Sequence, residues 1–139
     1  ESLDYSIIRD KRILIVDDNA INRFYFMSIL KKAGAAVDEA LNGKEALFHA
    51  DSVRYDVILM DLNMPDFDGF LLTQIIRSSH NPNNRTLIAA LSAHAYRDHI
   101  KMCREAGMDD FIAKPVEREH FLSMICSLLK SKNRDLETD

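Results

Sequence analysis

Two short apolar runs that each end at an acidic residue constrain the fold of this chain more than any other feature. Residues 12–16 (RILIV) stop at Asp17 and Asp18, and residues 56–60 (DVILM) stop at Asp61. Runs this rich in aliphatic and β-branched side chains are typical of strands that are buried on both faces. Such strands occur in parallel sheets covered by helices. The sequence therefore predicts an α/β protein with carboxylates at the ends of its central strands.

The rest of the chain continues this alternation. Further strands are predicted at residues 35–40, 87–91 and 111–113. Helices are predicted at about residues 20–33, 43–52, 70–79, 96–106 and 117–129, and Asn19 and Gly34 suit the N-cap and C-cap of the first helix. Five strands that alternate with five helices imply right-handed βαβ crossovers. We predict a flavodoxin-like, doubly wound, five-stranded parallel sheet in the order 2-1-3-4-5.

The length of 139 residues fits one domain with a real core. We expect a linker or N-terminal extension at residues 1–11, the domain at 12–130 and a polar C-terminal tail at 131–139. No apolar run approaches 18 residues, which argues against membrane insertion. The first residues lack both a Met and a signal-peptide pattern, so we expect a cytoplasmic domain excised from a longer chain. A tether of this domain to the inner face of the membrane through a longer parent protein stays open.

Composition excludes several function classes. The four glycines are too widely spread to form a GxGxxG or GxxxxGK[ST] loop, which removes dinucleotide-binding and P-loop proteins. With 18 basic and 22 acidic residues and no basic block, the chain offers no surface typical of nucleic-acid binding. Cys103 and Cys126 fit no metal-ligand spacing and are expected to be reduced packing residues.

Ligands of open parallel sheets bind at the carboxyl ends of the strands, near the point where the strand order reverses. The residues that follow the predicted strands at those ends are, in chain order, Asp17, Asp18, Asp61, Ser92 and Lys114. The first and third strands are neighbours in the proposed order, so the three carboxylates should converge and be stabilised by a cation. Ligands that are all oxygen atoms favour a hard ion, and Mg²⁺ is preferred where phosphate is also bound. Ser92 and Lys114 would then bind phosphate, and Asp61, the central acid, is the candidate nucleophile.

Each of these residues alone has an ordinary explanation. Acids after strands often cap the next helix, and a single lysine is usually a surface residue. The prediction therefore depends on their joint occurrence at four successive strand ends.

Three blocks of sequence contain both the end of a predicted strand and the candidate residues that follow it: residues 13–19 (ILIVDDN), 56–65 (DVILMDLNMP) and 113–115 (AKP). They resemble the signature blocks of the receiver domain of two-component signalling, and the resemblance covers about residues 11–130. Residues 103–111 (CREAGMDDF) resemble the subset attached to hybrid sensor histidine kinases and phosphorelay proteins.

The resemblance implies that Asp61 accepts a phosphoryl group from a phosphohistidine of a partner protein. It implies that Asp17 and Asp18 position Mg²⁺, that Asp61 ligates the ion directly, and that the backbone carbonyl of Asn63 completes the protein ligands. Lys114 would contact the phosphoryl group.

The resemblance also assigns regulatory positions. The peptide bond from Lys114 to Pro115 is expected to be cis, a form that is accessible mainly before proline. Ser92 stands where the family more often has Thr, and Phe111 falls at the aromatic switch position, where any switching must act through burial because Phe has no hydroxyl. Asn63 and His94 occupy the positions that tune autodephosphorylation in this family.

The expected partner is a histidine kinase dimerisation domain or a histidine phosphotransfer protein, because the first helix docks the phosphodonor in this family. Three consecutive aromatics, Phe24, Tyr25 and Phe26, cannot all face the core of a helix, so a partner contact at Tyr25 is one possibility and an ordinary exposed aromatic the other. The oligomeric state is left open.

The leading hypothesis is a phosphoacceptor signalling module that catalyses its own phosphorylation and dephosphorylation. It would be part of a histidine kinase if the parent is a hybrid kinase. A stand-alone response regulator is the first alternative. A small aspartate-nucleophile phosphatase of the haloacid-dehalogenase type is a second, although Asn63 stands where that class has a second acid. A flavin carrier is a third, although Asp17 and Asp18 would repel its phosphate.

Overall fold

The computed structural model describes residues 4–65, 67–93 and 97–138. Five parallel strands form one sheet in the order β2-β1-β3-β4-β5, which confirms the predicted flavodoxin-like topology. The strands are β1 (Arg12–Val16), β2 (Ala36–Ala40), β3 (Val57–Asp61), β4 (Leu87–Ser92) and β5 (Asp110–Ala113). The helices are α1 (Ala20–Lys32), α2 (Gly43–Ser52), α3 (Gly69–Ser78), α4 (Arg97–Ala106) and α5 (Arg118–Thr138).

Strand β1 shows why the central runs are apolar at every position. Its residues Ile13 and Ile15 pack with α1 and α5 on one face of the sheet. The alternate residues, Leu14 and Val16, pack with α2, α3 and α4 on the other face. Successive side chains of a strand point to opposite faces, so a strand between two helical layers needs apolar residues throughout. Both layers therefore fix β1 and the turn that follows it.

The register of the strands brings the candidate site together. Val16 pairs with Met60, so Asp17 and Asp61 occupy equivalent places at the ends of neighbouring strands. Ser92 pairs with Ala113, and the backbone N–H of Lys114 donates to the Ser92 carbonyl at 2.8 Å. The carboxyl edge of four strands thus carries the acids, the hydroxyl and the lysine on one rim.

The predicted N-cap of the first helix is confirmed, whereas the C-cap is Ala33 and Gly34 lies one residue beyond it. The Asn19 side chain accepts a hydrogen bond from the Asn22 N–H at 3.0 Å, as an N-cap residue should. Gly34 follows the helix with φ +95°, a conformation that favours glycine. Cys103 and Cys126 are free and buried, as predicted.

The predicted end of the last helix is wrong. Helix α5 runs on to Thr138 instead of ending near Leu129, so the polar tail expected at residues 131–139 is helical through 138. The segment after Leu129 contains no Gly or Pro that would stop a helix, and polarity alone does not end one.

The N-terminal segment is an extension that packs on the domain. It holds a 3₁₀ turn at Ser6–Ile8, and Ile8 is fully buried in the layer of α1 and α5. Within the part of the chain that the structure describes, no helix is long and apolar enough to cross a membrane.

Candidate functional site

The three predicted carboxylates converge at the carboxyl edge of the sheet. One oxygen each from Asp17, Asp18 and Asp61 lies within 4.8 Å of the others. Asp17 and Asp61 are buried, whereas Asp18 is exposed at the mouth of the cluster. Three carboxylates this close repel one another, and a cation between them would remove the repulsion.

Asp17 is held through both its side chain and its main chain. Its Oδ1 accepts a hydrogen bond from the Asn19 N–H at 2.9 Å, and its main-chain N–H donates to the Ala40 carbonyl at 3.1 Å. Its other carboxylate oxygen, Oδ2, is buried and has no hydrogen-bond partner within the described residues. Burial raises the pKa of the Asp17 carboxyl to about 6; the neighbouring Asp61 carboxylate also raises it, while the Asn19 hydrogen bond and Lys114 act in the opposite direction.

Asp61 forms an ion pair with Lys114. The Lys114 ammonium lies 2.9 Å from Asp61 Oδ1, and the Asn63 N–H donates to the same oxygen at 3.0 Å. The side chain of Asp61 is only 3% exposed and that of Lys114 is 21% exposed. The ammonium therefore neutralises the central acid, while the pair stays open to solvent on the lysine side.

Asn63 and Pro115 complete the rim around this pair. The Asn63 side-chain oxygen accepts a hydrogen bond from the Ala93 N–H at 2.9 Å, which ties the loop after β3 to the end of β4. An amide in this place cannot act as a general acid or base, which argues against the phosphatase alternative. The Lys114–Pro115 peptide bond is cis, as predicted. The role of the Asn63 backbone carbonyl stays a prediction.

Ser92 lies at the end of β4 and is fully buried. Its hydroxyl oxygen is 3.2 Å from His99 Nε2 in α4. The His99 ring packs edge-on against Phe70 and Phe111, with ring centroids 5.3 and 6.0 Å away. The half-buried Phe111 is thus joined to Ser92 through His99. His94, predicted to tune the phosphoryl lifetime, lies outside the described residues.

Sequence reasoning missed two side chains near the site, His99 and Arg23. Only the packing of α4 brings His99 to Ser92, so no local pattern marks it. Arg23 of α1 is only 8% exposed and forms an ion pair with Glu39, which its place on a helix does not reveal.

Comparison with known proteins gives the family. The sequence profile described as the response regulator receiver domain matches residues 13–126, most of the chain. The chain belongs to the receiver domain family. Hybrid signal transduction histidine kinase F of Dictyostelium discoideum is 39% identical over 135 residues, which cover 95% of this chain and 12% of the kinase. Hybrid signal transduction histidine kinase A of the same organism is 41% identical over 109 residues, which cover 76% of this chain and 5% of that kinase. This receiver domain therefore spans a small part of the length of these relatives.

Solved receiver domains share the fold. The chemotaxis response regulator CheY4 of Vibrio cholerae matches with a TM-score of 0.81 and 28% identity, covering 86% of this chain and 98% of that one. The receiver domain of a sensor histidine kinase from Pseudomonas aeruginosa matches with a TM-score of 0.78 and 34% identity, covering 87% and 98%. That structure has a magnesium ion coordinated in its active site cleft. As a receiver domain, the chain is a phosphoacceptor signalling module.

The acidic cluster also fits a divalent cation on its own geometry. Among the residues that the structure describes, it offers carboxylate oxygens and no nitrogen or sulfur ligand, the donor set preferred by hard ions. A buried carboxylate oxygen without a partner is costly in free energy, and a bound cation would satisfy it.

Proposed function

We propose that Asp61 accepts a phosphoryl group from a phosphohistidine of a partner protein. The observation that carries this proposal is the pairing of Asp61 with Lys114 inside a cluster of three carboxylates. A structural ion pair would need no further acids, and two additional carboxylates would only weaken it by repulsion. The arrangement is suited to binding a cation and a phosphoryl group together.

In the proposed reaction, a carboxylate oxygen of Asp61 forms a bond to phosphorus while the phosphorus–nitrogen bond of the phosphohistidine breaks. The electron pair of the broken bond returns to the imidazole nitrogen, which leaves as the free histidine of the donor. Lys114 stays beside the former carboxylate and neutralises charge on the phosphoryl oxygens. Attack of water on phosphorus later releases inorganic phosphate and restores Asp61.

Asp17, Asp18 and Asp61, together with the backbone carbonyl of Asn63, would hold Mg²⁺. When bound, this ion supplies positive charge to the phosphoryl oxygens as negative charge shifts during transfer. Asp17 holds its carboxylate ready, because its Oδ1 is already bonded to the Asn19 N–H.

The proposed output is a conformational change that begins at Ser92. After transfer, the Ser92 hydroxyl donates a hydrogen bond to a phosphoryl oxygen and leaves its contact with His99 Nε2. His99 packs against Phe111, so the loss of that contact alters the packing of α4 and β5. Phosphorylation then biases a two-state element through new charge-assisted hydrogen bonds.

The proposed partner surface is the exposed face of α1. Ile21 and Phe24 are 79% and 73% exposed, and Tyr25 is 40% exposed. A contiguous apolar patch of this kind marks an interaction site more often than scattered exposed residues do. The Tyr25 hydroxyl donates to the Val116 carbonyl at 2.9 Å, in the loop that follows Lys114. A phosphohistidine-bearing helix docked on α1 would therefore lie beside the phosphoacceptor site.

We also propose that the parent protein is a hybrid histidine kinase, with this domain in the cytoplasm. The similarity to two hybrid kinases supports that parent over a stand-alone regulator.

The test is phosphorylation of the protein by a small phosphodonor such as acetyl phosphate, measured by intact-protein mass spectrometry. We expect the wild type to gain one phosphoryl group in Mg²⁺ and none in excess EDTA. The D61N variant should show no labelling, because an amide oxygen is a poor nucleophile.

Asp51, an exposed acid of α2, provides the matched control. The D51N variant should label like the wild type. Undiminished labelling of D61N, or equal labelling of the wild type in Mg²⁺ and in EDTA, would refute the proposed site.

A further inference from the structure

Arg23 is a buried cation that the chemistry described so far does not use. Its side chain is 9% exposed, although guanidinium groups are rarely buried without strong partners. Its Nε donates to Glu39 Oε1 at 2.7 Å and its Nη1 donates to the main-chain carbonyl of Asp17 at 2.9 Å. The Arg23 side chain of α1 therefore binds both Glu39 of β2 and Asp17, the residue that follows β1.

The hydrogen bond from Arg23 adds to the bonds that hold Asp17 in place. The main-chain N–H of Asp17 is bonded to Ala40, its carbonyl to Arg23 and its Oδ1 to the Asn19 N–H. Three hydrogen bonds thus hold the residue, and they leave Oδ2 as its buried atom without a partner in the described part of the chain. Removal of the Arg23 bond would free the peptide that carries the carboxylate into the cluster.

The charge on Arg23 does not oppose a cation at the site. Glu39 pairs with the guanidinium at 2.7 Å, so the hydrogen bond to Asp17 is donated by a nearly neutral ion pair. Because the contact is made to a main-chain oxygen, Arg23 pairs with none of the three carboxylates of the cluster.

We propose that Arg23 is a positioning residue for Mg²⁺ binding, acting through Asp17. This inference rests on the proposed function, which supplies Mg²⁺ as the ion. The planar guanidinium reaches two partners in different directions at once, whereas a lysine ammonium is a single point donor. Arg23 therefore sets how well the acidic cluster is organised before the ion arrives.

The experiment measures the Mg²⁺ dissociation constant by isothermal titration calorimetry, with the protein fully folded. We expect the R23Q variant to bind Mg²⁺ about tenfold more weakly, the low end of the effect of residues that orient metal ligands. The R23K variant should fall between R23Q and the wild type. The control is R54Q, which changes an exposed arginine and should leave the constant unchanged.

A purely structural role for Arg23 predicts a different result. In that case R23Q lowers the free energy of unfolding but binds Mg²⁺ as tightly as the wild type, and the positioning role is refuted. If R23Q does not fold, an unchanged constant in R23K has the same consequence. A wild type that binds no Mg²⁺, or a D61N variant that binds it equally well, would instead overturn the proposed function and this inference together.

Discussion

Both ends of the parallel sheet bury polar side chains, but the hydrogen bonding of these side chains differs between the two ends. At the amino ends of β3 and β4, the fully buried Asn83 accepts from the Tyr55 N–H and the Thr86 hydroxyl and donates to the carbonyls of Ala50 and Val53. At the carboxyl ends, the buried Asp17 keeps one oxygen without a partner in the described residues, beside two further carboxylates.

The difference separates polar groups that hold the fold from polar groups that hold a ligand. A closed network contributes stability because every buried donor and acceptor is satisfied. A cluster of like charges lowers stability and is kept where binding compensates for it. We therefore call the amino end of this sheet the structural end, and the carboxyl end, where we propose that an ion binds, the functional end.

The largest expected effect comes from opening the structural end. The N83A variant leaves the Tyr55 N–H and two carbonyls without their partner, so the free energy of unfolding should fall by about 3 kcal/mol. Urea denaturation measures this change, with N84A as the control, because no side-chain bond of Asn84 enters the network and its loss should cost less than about 0.5 kcal/mol. Folded N83A should still be labelled in Mg²⁺; loss of labelling would mean that the two ends are not independent.

A smaller and opposite effect is expected at the functional end. The Asp17 pKa is about 6 in the folded protein against an ordinary value of 3.8, so the folded state holds a proton that the unfolded state releases between those pH values. In EDTA, this residue should therefore make the protein less stable as pH rises from about 4 to 6, with a constant effect above that.

The D17N variant isolates this contribution. In EDTA at pH 7 it should be more stable than the wild type by on the order of 1 kcal/mol, and the difference should vanish toward pH 4. Thermal unfolding of both proteins across this range provides the measurement. Parallel curves at all pH values would contradict the description of Asp17 as a destabilising carboxylate.

The smallest effect is expected from Tyr25, whose hydrogen bond to the Val116 carbonyl lies at the exposed margin of the functional end. The Y25F variant should lose less than about 1 kcal/mol of stability, because water can replace the hydroxyl there. Labelling by acetyl phosphate should be unchanged. A larger loss in chemical denaturation would mean that this margin is as tightly built as the Asn83 network.

Residue type and spacing predicted the parts of this molecule that depend on neighbours along the chain. The apolar runs before Asp17 and Asp61 predicted buried parallel strands, and strand order then predicted that the acids converge. The importance of Asn83 was hidden, because the segment 81–84 looks like a turn and only the folded chain brings it to the end of α2. Arg23 was hidden for the same reason, since an arginine on a helix gives no sign of being buried.

The pairing of Val16 with Met60 also decides which changes of length this domain can tolerate. One extra residue inside β1 or β3 would turn every later side chain of that strand to the opposite face, and would carry Asp17 or Asp61 away from its neighbour. An insertion between the exposed Ser79 and His80 would leave that pairing untouched. This domain should therefore tolerate changes of loop length at the amino end of the sheet, while the number of residues from each core strand to its acid must stay fixed.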